Sequence, residues 1–132
     1  MGYRCQSVAL VVQNSLNQYL LQLRDEKENL RYSGMWGTVG GEIKKIEKPE
    51  VSAIRELKEE TGIKINKCEF ISRKYDIYKN SRPFIVHFFY CRIPSKKIVR
   101  CFEGQKFQYF SKKQILHLKI PKIVREVILG LL

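Results

Sequence analysis

Short apolar runs alternate with polar breaks along this chain, and the period within each run predicts an element. Ser7–Val12 (SVALVV) and Gln18–Leu23 (QYLLQL) read as two strands joined by the turn-rich stretch Asn14-Ser15-Leu16-Asn17. Asp25 to Gly34 is polar and reads as a loop. Trp36 to Val39 predicts a short strand that ends at Gly40-Gly41. From Pro49 to Gly62 the apolar spacing is helical. Proline suits a first helical turn, where its missing N–H costs nothing, and glycine suits the C-terminal cap. Runs rich in Ile, Val, Phe and Tyr near Lys67–Tyr78 and Pro83–Ile93 predict further strands, and Lys106–Phe110 a last one. Ser111 caps a predicted helix to about Leu118, and Pro121 opens a second apolar stretch to Leu132. Along the run from Phe84, the residues Phe84, Val86, Phe88 and Tyr90 alternate with Ile85, His87, Phe89 and Cys91, so both faces are apolar. His87, the one polar interruption, reads as a hydrogen-bonded core histidine. The order of strands, helix, strands, helix predicts an α+β fold with a mostly central sheet rather than alternating βαβ units.

Composition narrows this to a single domain over residues 1–132, since 44% hydrophobic content is enough for one core. The early apolar run Val8–Val12 is far too short to span a bilayer and lacks a signal-peptide cleavage pattern. A soluble, cytoplasmic protein without a membrane partner is expected. Cys5, Cys68, Cys91 and Cys101 form no C-x-x-C pair, which predicts free buried thiols. A net charge of +12 fits either attraction to a polyanion or a lysine-solvated surface. Lysines scattered in ones and twos, with no run of like charges, favour the second.

Against that basic background, six of the 13 acidic residues fall between Gly40 and Ile63. On a helical wheel Val51, Ala53, Ile54 and Leu57 take one broad face, and Glu56, Glu59 and Glu60 cluster opposite. Their i, i+3, i+4 spacing makes the three carboxylates neighbours that repel. An ordinary amphipathic helix with a charged outer face accounts for the helix alone. Shared hard divalent cations, which take oxygen ligands and substrate phosphates, would turn the repulsion into an asset. Arg55 precedes Glu59 by four residues and can orient its carboxylate. Gly40-Gly41 allows backbone to approach a ligand closely, and Glu47 lies near enough to join the acids or brace them.

Gly41, Glu47, Arg55-Glu56-Leu57, Glu59-Glu60, Gly62 and Ile63 match, without a gap, the pattern G-x5-E-x7-R-E-U-x-E-E-x-G-U, where U is apolar. Chance agreement is on the order of one in a billion per start position. The chain therefore resembles the Nudix hydrolases, in particular the MutT-like single-domain pyrophosphohydrolases. The resemblance implies an α/β/α sandwich with a mixed central sheet. It also implies metal-dependent hydrolysis of a nucleoside diphosphate linked to another group X. Mg²⁺ or Mn²⁺ would be held by Glu56, Glu59 and Glu60 with a backbone carbonyl at Gly40 or Gly41. One departure is Lys44 and Ile46, where many members carry an acid and a glycine.

Outside the box, Arg24 follows the second strand where a basic residue in many relatives reaches substrate phosphates. Its alternative is a solvated arginine opening a loop. Glu103, in CFEGQKFQYF, resembles an E-G-Q loop of MutT-type enzymes whose acid binds metal or acts as base. The general base stays open between Glu103 and Glu56. The candidate catalytic set is thus Glu56, Glu59, Glu103 and Arg55. The metal set is Glu56, Glu59, Glu60, Gly41 and Glu103, and the substrate set is Arg24, Gly40 and Gly41. Among aromatics, Tyr32, Trp36, Tyr75, Tyr78, Phe84, Phe88 and Tyr90 could stack on a base, although most belong to the core. MutT-type enzymes acting on 8-oxo-dGTP carry an asparagine where Val124 falls when Pro121 is aligned, which weighs against oxidised guanine. The expected substrate is a small (d)NTP-type nucleotide giving NMP and pyrophosphate, and the expected state a monomer or homodimer. The alternatives are sugar nucleotides, dinucleoside polyphosphates, an RNA 5′ end, or a nucleotide-binding Nudix module without activity.

Overall fold

A computed structural model describes residues 5–25, 32–77, 83–94 and 106–131. Strand β1 (Cys5–Asn14) lies at the centre of a seven-stranded mixed sheet, parallel to β6 (Phe84–Ile93). The parallel pair is buried on both sides, which is why both strands read as continuous apolar runs rather than as alternating ones. Beyond β6 the sheet is extended by β5 (Glu69–Asp76), antiparallel, with a register shift between Phe70 and Ser72. On its other side β1 pairs with β2 (Tyr19–Leu23) and, nearer its start, with β4 (Val39–Glu42). Strand β2 also pairs with β3 (Trp36–Gly37) and with β7 (Lys106–Phe110). The expected strand from Trp36 to Val39 is therefore two short ones broken at Thr38, and Gly40-Gly41 lies within the second instead of ending the first.

The β1–β2 turn is held by Asn14, whose side-chain oxygen accepts from the N–H groups of Leu16 at 3.0 Å and Gln18 at 2.9 Å. Asn17 takes the left-handed φ of 62°, a conformation asparagine tolerates.

Two apolar cores lie against the two faces of the sheet. Val8, Leu10 and Val12 of β1 and Phe89, Cys91 and Ile93 of β6 pack against Ala53 and Leu57 of helix α1 (Pro49–Thr61). Ala9, Val11, Phe84, Val86 and Phe88 pack against helices α2 (Lys112–Ile115) and α3 (Lys122–Leu129). This is the expected α/β/α sandwich. Among the described residues no helix is long and apolar enough to cross a membrane.

Helix α1 begins at Pro49 and ends where Gly62, at φ 80°, donates its N–H to the Lys58 carbonyl. Its inward side differs from the helical-wheel expectation. Ser52, Ala53, Leu57 and Thr61 are buried, whereas Val51 is 51% exposed. At about 100° per residue Glu56 and Glu60 share the angular sector of Ala53 and Leu57, so these acids face the sheet and only Glu59 faces outward. The expectation grouped the three acids by their mutual spacing and set them opposite the apolar residues, whereas the angles place Glu60 between Ala53 and Glu56, where it borders a cleft. The predicted helix after Ser111 is also shorter than expected and ends at Ile115. Arg125 of α3 satisfies carbonyls at and beyond that end, bonding Ile115 O at 3.1 Å and Leu118 O at 2.7 Å.

His87 is buried and hydrogen-bonded: its Nε2 lies 3.0 Å from Gln6 Oε1, and Arg73 Nε donates to its Nδ1 at 3.5 Å. Cys91 is a buried free thiol and Cys68 a half-buried one, and burial pushes them up to about 12 and about 11. The Cys5 side chain and Cys101 lie outside the described residues.

Replacing Gly62 by alanine places a Cβ in the left-handed region at the end of α1. Gly62→Ala should cost about 1 kcal/mol or more in urea unfolding, and Gly62→Asn less.

Candidate active site

Three short pieces meet at the end of α1: the β4 glycines, the loop through Glu47, and the inward side of the helix. Gly40 pairs with Ala9 and Gly41 with Val8 across β1. A Cβ on Gly40 would run into the Val8 carbonyl oxygen. One on Gly41 would lie 2.5 Å from the carboxyl carbon of Glu56. Gly40 is therefore required by the close approach of strand to strand, while at Gly41 a Cβ would displace the Glu56 carboxylate.

Arg55 ties the pieces together. Its fork meets Glu47 twice, Nε to Oε2 at 2.5 Å and Nη2 to Oε1 at 2.8 Å. Nη1 reaches Glu56 at 3.0 Å and Glu59 at 3.1 Å. Nη2 also donates to the Glu42 carbonyl at 3.3 Å and to Ser52 Oγ at 3.2 Å. Ser52 in turn donates to Glu47 at 2.6 Å, and the Lys44 N–H does so at 3.1 Å. A planar guanidinium is the one side chain that can serve so many acceptors at once. Glu47 thus braces the arginine rather than joining the other acids. The guanidinium, helped by Ser52, holds the Glu47 carboxyl down at about 2, and Glu47 in turn raises the pKa of Arg55. Nothing in the sequence marked Ser52 or the Glu42 carbonyl for this network, since neither belongs to the box. Ile46 is 96% exposed and Lys44 contributes through its backbone.

Glu56 and Glu60 lie side by side beneath the glycines. One Glu60 oxygen, Oε1, is shielded from solvent and has no hydrogen-bond partner. Burial, then the hydrogen bond and charge of Glu56, push Glu60 up to about 8, against the weaker pull of the Gly40 N–H and of Arg24. Two carboxyls in that relation share a proton unless a cation takes its place. An orphaned buried oxygen and a glycine cradle filled by a second carboxylate, with oxygen donors only, fit a hard divalent cation. Glu59 stands apart, its side chain 53% exposed on the outer side of Arg55. Among the described residues no three acidic, histidine or cysteine side chains are grouped to hold an ion as they stand.

A cleft of about 340 Å³ opens beside Glu60. At one end it is bordered by Arg24, Gly40, Gly41 and Glu60, and Phe84, Val86, Phe88, Ile123 and Val124 supply apolar walls. Of the aromatic candidates, Tyr32, Phe84 and Phe88 border it. Trp36 packs edge-on against Phe110 at 4.8 Å, Tyr75 is 54% exposed, and Tyr90 donates to Gln13 at 2.5 Å. Glu103 and Tyr78 lie outside the described residues.

The fold recurs in solved structures. A MutT protein from Methanosarcina mazei Go1 superposes with a TM-score of 0.82 at 21% identity, covering 96% of this chain and 91% of that one. The NUDIX domain of Shewanella oneidensis NrtR, complexed with ADP ribose, gives 0.80 at 16% identity over 99% and 88%. A C. elegans Ap4A hydrolase binary complex gives 0.77 at 17% identity over 96% and 94%. A comparison with curated proteins finds no match. The NUDIX domain family model matches residues 4–130, and the chain belongs to the Nudix family. It is a Nudix hydrolase, acting on a phosphoanhydride in a nucleoside diphosphate linked to another group, and such hydrolases generally use divalent metals.

The raised Glu60 carboxyl has a consequence for stability. Its ordinary value of 4.5 becomes about 8 on folding, so its contribution is fully present below about 4.5 and is lost as pH rises through 8. In EDTA, wild type should therefore lose melting temperature relative to Glu60→Gln between pH 5 and pH 8. Parallel curves would show that Glu60 ionises as it does in the unfolded chain.

Proposed function

We propose that this chain hydrolyses a (d)NTP-type nucleotide to NMP and pyrophosphate, using Mg²⁺ or Mn²⁺. The observation that carries the reading is the polarity of the cleft. Apolar walls suited to a base lead to a mouth where Arg24 and the glycine backbone meet the buried carboxyls. Glu56 and Glu60 would hold the cation with a backbone carbonyl at Gly41, and Glu59, on the outer side of Arg55, would join them by a turn of its side chain. A bound divalent cation neutralises phosphate oxygens and lowers the pKa of water.

The protein's own part is positioning. Arg55 is a positioning residue: it keeps Glu56 and Glu59 aimed and prevents their mutual repulsion from splaying them. Arg24 meets a substrate phosphate, and its positive charge favours the ionised state of Glu60. Gly40 and Gly41 allow the substrate's phosphates to approach the backbone. The base that takes the proton from water is Glu56 or Glu103, the latter also a candidate ligand. Phosphoanhydride cleavage asks little else of a protein beyond charge stabilisation and alignment.

ADP ribose, bound by the Shewanella domain, and Ap4A, cleaved by the worm enzyme, are also nucleoside diphosphates carrying a further group. They belong in the test panel beside (d)NTPs, sugar nucleotides and 5′-triphosphorylated RNA. No hydrogen-bonding side chain stands at Val124, which disfavours selection of oxidised guanine. We read the molecule as cytoplasmic and as a monomer or homodimer.

The test is phosphate and pyrophosphate release across that panel with Mg²⁺ or Mn²⁺. Release from (d)NTPs should vanish in EDTA and return with either cation. Glu56→Gln, Glu59→Gln and Glu60→Gln should each lower kcat roughly 100-fold or more, the loss of a charged ligand being worth several kcal/mol in the transition state. Glu103→Gln should lower kcat without lowering the melting temperature. Wild-type turnover in EDTA or in all three box variants would overturn the reading.

A further inference from the structure

The far end of the cleft carries a feature that the metal-side chemistry does not use. Tyr32 has a φ of 58°, in the left-handed region. Bulky residues are uncommon there, and such positions persist only where surrounding contacts hold them. Two of its contacts are with the cleft's own wall and with β5. The Tyr32 hydroxyl donates to Asp76 Oδ2, a carboxylate 44 residues away at the end of β5. The Tyr32 ring packs edge-on against Phe84, centroids 6.3 Å apart and planes at 69°. Asp76 is itself anchored: its other oxygen accepts the Ile77 N–H at 2.8 Å, and it pairs with Phe84 across the β5–β6 ladder. The tyrosine is thus fixed at both ends of its side chain, and it borders the cleft together with Phe84 and Phe88.

Strand register places this wall relative to the glycines. Phe88 lies beside Ala9, which pairs with Gly40, whereas Phe84 lies beside Cys5. At about 3.3 Å per residue, Phe84 is roughly 13 Å further along the strand than Phe88. Phe84, with Tyr32 against it, therefore stands toward the end of the cleft away from Gly40.

We propose that Tyr32 is the aromatic wall against which the substrate's base packs, and that Asp76 sets the position of that wall. This rests on the reading of the site as a nucleotide hydrolase and extends it to recognition. Phe84, Val86, Phe88 and Val124 of the same cleft are apolar, so the contact with this wall is through the face of a purine or pyrimidine. Stacking of this kind is tolerant of base identity, because every base has a π-face. Asp76 acts through Tyr32 and is a positioning residue.

The experiment compares KM and kcat for ATP and CTP with Mg²⁺, and the inhibition constant of inorganic tripolyphosphate, a competitor without a base. Tyr32→Ala should raise KM for both nucleotides about tenfold or more, leaving kcat within a few-fold and tripolyphosphate inhibition unchanged. Asp76→Ala should shift KM in the same direction. Asp76→Asn, which keeps an acceptor for the hydroxyl, should restore most of the affinity. Should Tyr32→Ala fail to fold, Tyr32→Leu gives the same comparison with bulk retained and the ring removed. An equal loss of nucleotide and tripolyphosphate binding, or a loss in kcat alone, would overturn the proposal while leaving the hydrolase reading intact. Absence of turnover of any nucleotide by wild type would overturn both.

Discussion

Arg55 is the joint on which the site depends. It sits on α1, yet its guanidinium is bonded to Glu47 in the preceding loop, to the backbone of Glu42 at the end of β4, and to Glu56 and Glu59 on its own helix. Fixing one planar group against these partners and Ser52 sets how α1 lies on the strand that carries the glycines. It also lets several carboxylates stand close together without a compensating ion. A lysine would supply the charge but not the fork, and could not serve Glu47 bidentately while reaching Glu56. Because the Glu47 carboxyl is held so low, the joint stays ionised across the neutral range.

From that joint the rest follows by close approach. With α1 held down, the Glu56 carboxyl occupies the place where a Cβ of residue 41 would be, and Glu60 is carried beneath Gly40 into partial burial. A carboxyl in such a place is costly to ionise alone, which makes it a receptive ligand for a cation. The arrangement is the reverse of what would stabilise an ordinary amphipathic helix, and a fold tolerates such a conflict at a functional site.

Much of this was legible in the sequence. Pro49 and Gly62 bracketed α1 because each acts through backbone conformation, which needs no partner elsewhere. The double-sided apolar run at Phe84–Ile93 announced a strand buried between two layers. The spacing of Gly41, Glu47, Arg55, Glu56, Glu59, Glu60 and Gly62 identified the family. The expected face of α1, however, was wrong: the acids were set together on the outer side by their mutual spacing, although at about 100° per residue Glu60 falls beside Ala53. The helix after Ser111 was drawn too long, and the side chain that satisfies the carbonyls at and past its end, Arg125, belongs to a later helix. Tyr32 stood only as one aromatic among seven, and its link to Asp76 spans 44 positions with no pattern between them. Contacts that depend on tertiary placement leave no local trace.

Glu56 and Glu60, set by Arg55 beneath the glycines, are what we propose as the cation site. Titration of Mn²⁺ followed by electron paramagnetic resonance tests it without reference to turnover. Wild type should remove the free-ion signal with a saturable dependence that Mg²⁺ competes away, and Glu60→Gln and Arg55→Ala should each weaken binding at least about tenfold. Equal Mn²⁺ binding by wild type and both variants would contradict it.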